Sequence, residues 1–157
     1  MFEGVFMHQY KSVLVAVDFS ANSKVALMRG MELAQRYSAS LKIIHVVDIP
    51  TYPVLEDVSV MGLPGVLDPQ LTEPLTQVAT KQLTSLLVKI GLDESDGDLL
   101  VGDVSAEIVN CVSENSIDLL VLGKHGTSGW KKIFGSTASH IMNNVGCDVL
   151  AINLDKE

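Results

Sequence analysis

Aromatic residues are scarce, at 5% of the chain. A core must therefore be built mostly from aliphatic side chains, as in a parallel sheet rich in Val, Ile and Leu. Long apolar runs are missing as well. The longest covers a handful of residues, where a membrane helix needs roughly 20. Cysteine is reduced to two residues, Cys111 and Cys147, with neither CxxC nor Cys/His ligand spacing. That excludes a disulfide framework and a structural zinc site, and reads as buried thiols of a cytoplasmic protein. The opening MFEGVFMHQYK has neither an apolar h-region nor a small-residue cleavage site, so it does not read as a signal peptide. Basic residues are outnumbered, 11 to 19, and the formal charge is −8. A chain so acidic is a poor generic binder of nucleic acid or anionic membrane. A small anionic ligand stays open, because backbone N–H groups can bind it locally. Two catalytic signatures are also absent: no GxSxG nucleophile elbow and no GxxxxGK[ST] P-loop occurs.

What is present is enough for one folded domain. The chain has 157 residues, of which 47% are apolar and 19% charged. This is too apolar for disorder, and a chain of this length can bury roughly two-thirds of its unfolded surface. No internal repeat or linker divides it, so residues 1–157 are read as a single domain.

Five short apolar segments punctuate the sequence, at 13–17, 41–47, 99–101, 119–122 and 149–152. Most are continuous rather than alternating, which suits strands covered on both faces. Helical periodicity fills the gaps. Residues 23–37 place Val25, Leu27, Met28, Met31 and Ala34 on one broad stripe, and Gly30 weakens that helix by about 1 kcal/mol relative to Ala. Residues 69–90 repeat Leu75, Ala79, Leu83, Leu86 and Ile90, with Gly91 as a C-cap. Residues 105–115 carry Ile108, Val109 and Val112, with Ser105 as a candidate N-cap. Residues 136–144 lead with Ala138, Ile141 and Met142 into Val145. The order β-α-β-α-β-α-β-α-β implies an α/β fold, a parallel sheet with helices on both faces and right-handed crossovers. The irregular stretch 49–68, rich in Pro and Gly, reads either as a functional loop or as a surface connection.

In open α/β sheets a ligand sits beyond the carboxyl ends of the strands, where the winding reverses. The first strand runs into Asp18, and the fourth into Gly123-Lys124-His125-Gly126-Thr127-Ser128-Gly129. If the sheet restarts beside its first strand with the fourth, these two ends flank the reversal. The glycines let the backbone come close to a ligand, and successive N–H groups in such a loop form an anion-binding nest. Gly135-Ser136-Thr137 then opens the fourth helix, whose N-terminus adds free N–H groups and a positive dipole end. Two donor sets facing one gap suit a polyphosphate. The same glycines also suit an ordinary turn with a capped helix start, and on the residues alone both readings stand.

Other side chains carry paired readings. Asp18 can bind a ribose hydroxyl or cap the turn that follows it. Ser20, Asn22 and Ser23 compete to cap the first helix. His45, inside an apolar strand, reads as a hydrogen-bonded core histidine. His125 is either a phosphate or metal contact or a solvated loop residue. Trp130 either covers the cleft or packs under the loop. Lys131 and Lys132 read as a solvated face, and His140 as an exposed helix residue. No set of these supplies the base and orienter that a catalytic triad needs.

VLVAVDFS, IIHVVD, VGDVSAEIV and DLLVLGKHG…GSTASHIM…CDVLAI resemble the universal stress protein family, over nearly the whole chain, with a core of about 11–153. The resemblance implies an open five-stranded parallel sheet of order 3-2-1-4-5, in a three-layer α/β/α arrangement. It implies ATP or a related adenine nucleotide as ligand, with Mg²⁺ or Mn²⁺ carried only on the bound phosphates. It also implies a cytoplasmic stress-response role and a homodimer paired through the C-terminal edge strand. By motif, Asp18 matches the aspartate that approaches adenosine, and Val46 the residue whose backbone reads the adenine edge. Gly102 falls in the pair lining the cleft. Gly123, Gly126, Gly135, Ser136 and Thr137 match the phosphate loop and helix start. The family's ATP motif is G-x2-G-x9-G-[ST]; here eight residues, 127–134, separate Gly126 from Gly135. One branch of the family lacks the full glycine pattern and does not bind ATP, and Trp130 is similar to that branch. Two further readings therefore accompany the first: a dimeric protein-interaction module, and a weak ATPase or phosphotransfer protein.

Overall fold

The computed structural model describes residues 9–49, 69–123 and 136–153, with the side chains of 69, 71 and 136–138 left aside. Among the described residues nine elements alternate: β1 (Ser12–Ala16), α1 (Ala21–Tyr37), β2 (Ser40–Asp48), α2 (Pro69–Lys89), β3 (Gly97–Gly102), α3 (Val104–Glu114), β4 (Leu119–Gly123), α4 (Ser136–Asn144) and β5 (Asp148–Ile152). A short 3-10 turn, Glu94–Asp96, leads into β3. The strands form one parallel sheet of order β3-β2-β1-β4-β5, the expected α/β fold with the expected strand order. The stretch 50–68 lies outside the described residues.

Strand alternation sorts the core into two layers. Val13, Val15, Ile43, Leu119 and Val121 face α1 and α2. Leu14, Ala16, Ile44, Val46, Leu120 and Leu122 face α3 and α4, which contribute Ile108, Val112 and Ile141. The central strands β1 and β4 are buried on both sides, whereas β3 and β5 keep exposed positions. That difference explains why the central strands read as uninterrupted apolar runs.

Helix α1 corrects the sequence reading. Its buried face is Asn22, Ser23, Ala26, Leu27, Gly30 and Ala34; Val25 and Met28 point outward. The reason is Gly30. A Cβ there would collide with Cγ2 of Val15, so the helix backbone lies directly against β1. Apart from Leu27, small residues take the sheet side. Gly30 is thus a packing requirement rather than a mere weakness. Similar shifts occur elsewhere. In α2 Leu75, expected on the inward stripe, is exposed, while Leu87, outside that stripe, is fully buried; in α4 Met142 is exposed.

Capping follows side-chain chemistry. Ser20 caps α1 by accepting from the Ser23 amide at 3.2 Å. Asp103, not Ser105, caps α3: its Oδ1 accepts from the Ala106 amide at 2.9 Å and from Ser105 Oγ at 2.7 Å. A carboxylate one residue ahead of the helix reaches the orphan amides better than a hydroxyl within it. Those bonds hold the Asp103 carboxyl below the usual range. Gly91 ends α2 with φ 75°, and Leu92 N–H reaches back to Leu87 O at 3.0 Å, as expected of a glycine C-cap.

Gly30→Ala separates propensity from packing. Propensity alone predicts a gain of about 1 kcal/mol, but the clash with Val15 predicts a net loss of about 1–3 kcal/mol. Urea unfolding of the two proteins reads the sign directly.

Candidate functional site

The sheet changes winding direction between β1 and β4, and the carboxyl ends of both strands open at that point. Ala16 lies level with Leu122 on one side and with Ile44 on the other. Counting on along these registers brings Gly123 beside Val17 and puts Asp18 at the level of Val46. Val46 is level with Leu100, and Gly102 ends β3 opposite Asp48. Asp18, Val46, Gly102 and Gly123 therefore all lie along one edge of the sheet. Each helix follows a strand and runs back across it, so the helix N-termini gather at this edge. Their free N–H groups and positive dipole ends give it an anion-attracting character. Ser136 and Thr137 open α4 there. Gly126 and Gly135 lie outside the described residues, as do His125, Trp130, Lys131 and Lys132.

Asp18 is 7% exposed. Its Oδ1 accepts from the Ser20 amide at 3.0 Å, the turn-capping role weighed from sequence. One such bond uses only part of the acceptor capacity of a carboxylate. Phe19 follows with φ 63°, a left-handed conformation that is unfavourable for a bulky residue. The turn is held on both sides, by the Asp18 bond and by the Phe19 ring. That ring packs on His45, with centroids 4.3 Å apart and planes at 39°.

His45 is the hydrogen-bonded core histidine anticipated from sequence. The Val17 carbonyl accepts from Nδ1 at 2.7 Å, which sets the tautomer with its proton on Nδ1. Beside it, Val17 N–H bonds to Ile44 O at 2.9 Å. By strand alternation the backbone N–H and C=O of Val46 point to the same side as those of Ile44, past the end of β1. The Val46 side chain itself is buried in the α3 layer. Burial lowers the His45 pKa from its ordinary 6.5, against smaller raising effects of the Val17 bond and of the Asp18 charge. The Phe19–His45 pair was not singled out from sequence; an aromatic immediately after a strand-end aspartate was the available signal.

Two glycines of the edge have steric duties of their own. A Cβ on Gly123 would lie 2.8 Å from the backbone carbon of Asn22 and 2.9 Å from the Ser23 nitrogen. The end of β4 thus touches the first turn of α1, backbone to backbone. Gly102 adopts φ 152°, and a Cβ there would lie 2.9 Å from Oε1 of Glu107, in the first turn of α3.

Both cysteines are free, and burial raises their pKa values, which makes them poor nucleophiles. Among the described residues no group of three or more His, Cys, Asp and Glu side chains could hold a metal ion. None of the described helices is long and apolar enough to cross a membrane.

The family model of the universal stress protein family matches residues 9–153. The chain belongs to the universal stress protein family. Among its relatives, a universal stress protein A homolog of Haemophilus ducreyi is 34% identical over 148 residues, covering 94% of this chain and 99% of the relative. Universal stress protein A homolog 1 of Coxiella burnetii is 30% identical, with coverage of 93% and 97%. Solved universal stress proteins share the fold. UspA from Lactobacillus plantarum superposes with a TM-score of 0.70 at 24% identity, covering 92% of this chain and 99% of that one. A universal stress protein in complex with cAMP gives 0.55 at 22% identity, with coverage of 92% and 97%. One from Archaeoglobus fulgidus in complex with dAMP gives 0.51 at 19% identity, with coverage of 92% and 99%.

Two outcomes test this geometry. Gly123→Ala should lower stability by about 1–3 kcal/mol, because the backbone of α1 must move, and urea unfolding should show that loss with no ligand added. For His45 the folded state favours the neutral ring. Its stabilising contribution is complete above the ordinary pKa of 6.5 and is lost as pH falls below it toward the lowered folded value. The decline in stability from pH 7.5 to 5 should therefore be shallower in His45→Gln than in the parent, as read by unfolding curves along a pH series.

Proposed function

We propose that this universal stress protein is a cytoplasmic stress-response protein that binds ATP or a related adenine nucleotide along the edge where β1 and β4 diverge. The observation that carries this reading is the side-by-side exit of Asp18 and Gly123 at the winding reversal, on the edge where the helices begin. Two family members of the same fold are complexes with adenine nucleotides, cAMP and dAMP, which supports the ligand class. In this reading Asp18 approaches the ribose and the Val46 backbone meets the base. Gly102 keeps the cleft wall low, and Gly123, Gly126, Gly135, Ser136 and Thr137 surround the phosphates. Mg²⁺ or Mn²⁺ would enter on those phosphates. Free, unreactive thiols accord with a reducing compartment.

A homodimer through β5 is the accompanying assembly. Among the described residues this strand pairs with β4 on one side only, and its Val149, Leu150 and Ile152 are half-buried. An apolar edge of this kind invites two-fold pairing.

Thermal unfolding with ATP and with AMP tests the nucleotide. At 100 times its dissociation constant a ligand adds about 2.7 kcal/mol, and each kcal/mol raises the midpoint by roughly 2–4 °C in a domain of this size. Gly126→Val should abolish the shift while leaving the unliganded midpoint near that of the parent. No shift with either nucleotide at millimolar concentration would overturn the proposal and leave the dimeric interaction module as the better reading.

A further inference from the structure

Among the described residues the layer formed by α1 and α2 does not close over the sheet. A groove of about 620 Å³ runs between them, beginning at Phe19. Leu27, Leu86 and Ile90 form its more buried side, and Met28 stands 59% exposed within it. A second depression, of about 660 Å³, shares Met28 and continues past Met31 and Leu41 to Leu92. Together they follow α1 from Lys24 to Ser38, about 21 Å at the rise of a helix. The trough is long, open and apolar, with methionines whose flexible side chains adapt to a packed partner.

The second depression carries one carboxylate, Glu32, paired with Arg29 at 2.8 Å; the charge of the first groove is the reverse of the chain's. Carboxylates outnumber basic residues 19 to 11 overall, yet the described lining of the first groove carries Lys24, Lys81 and Lys89 and no carboxylate. Among the described residues none of these three takes part in a salt bridge. Lys81 and Lys89 lie on one rim, about 12 Å apart along α2, and Lys24 stands on the opposite helix. A ligand with one anionic head would answer one of these charges. A helix with carboxylates two turns apart would answer the whole rim while its apolar face fills the trough, the helix-in-groove mode of recognition.

We propose that the trough between α1 and α2 is a docking groove for an amphipathic helix of a partner protein, with acidic side chains spaced two turns apart beside its apolar face. The proposal is independent of nucleotide binding.

The probe is a fluorescein-labelled helical peptide of about 15 residues, with leucine at every third or fourth position and glutamates two turns apart on both flanks. Its twin carries lysine for each glutamate. Fluorescence anisotropy with the full chain should show the glutamate peptide binding and the lysine twin binding at least about tenfold more weakly. The double variant Lys81→Glu/Lys89→Glu should reverse that order; both lysines are exposed, so the fold is left intact. In ¹³C-methyl methionine spectra the glutamate peptide should move Met28 and Met31 but not Met142, which is exposed on α4 in the opposite layer. Equal binding of the two peptides, an affinity unchanged in the double variant, or unmoved Met28 and Met31 signals would each overturn the proposal. So would laurate moving those methionines where the glutamate peptide does not, which would assign the trough to a lipid.

Discussion

The seating of α1 across β1 and β4 is the contact on which the rest of the molecule depends. Gly30 lets the middle of the helix lie on Val15, and Gly123 lets the end of β4 meet the first helical turn. Both contacts bring backbone against a neighbour with no side chain to mediate. Protein interiors are packed like molecular crystals, so one extra methyl at either place must move the helix or the strand. Because β1 and β4 flank the winding reversal, the same two glycines also set how closely the edges of the candidate cleft approach each other.

That seating explains the turn above it. The chain leaves β1 at Val17 and must reach the N-terminus of a helix already pressed against the sheet. It does so in three residues, with Asp18 holding the Ser20 amide, Phe19 in a left-handed conformation and Ser20 capping the helix. A left-handed bulky residue costs of order 1–3 kcal/mol and persists only where its surroundings over-determine it. Here the surroundings are the Asp18 bond and the packing of Phe19 on His45. The strain thus sits at the carboxyl end of β1, beside the edge where an α/β sheet receives its ligand.

Both layers bury helix residues fully, and the layer of α1 and α2 also carries an open groove. On the α3 and α4 side, helix residues such as Ile108 and Ile141 are fully buried. On the other side α1 is drawn toward β1 and β4 by its small residues, and α2 lies over β2 and β3 through Leu83 and Leu87. A helix held close to one part of the sheet leaves space beside it, and that space is the trough rimmed by lysines. Phe19 belongs to both regions, as part of the strand-end turn and as the upper wall of the trough.

Periodicity and order of elements were enough to read the fold from the sequence. Continuous apolar runs mark strands buried on both faces, and their alternation with helical stripes forces a parallel sheet. Strand order and the edge position of Asp18 and Gly123 follow from connection rules and from the family motifs. What periodicity could not decide was which of two adjacent apolar stripes on α1 turns inward, or that Leu87 rather than Leu75 is buried in α2. Hydrophobicity ranks residues by what they gain from burial, whereas the inward face of α1 was selected by how near its backbone could come to Val15. The cap of α3 and the Phe19–His45 pair escaped for a related reason. Each depends on a distance of a few ångströms between groups whose separation is set only when the whole sheet is assembled. Composition and spacing determined the architecture and the edge where chemistry belongs; close backbone contact, visible only in three dimensions, decided the orientation of α1 and with it the shape of the surface.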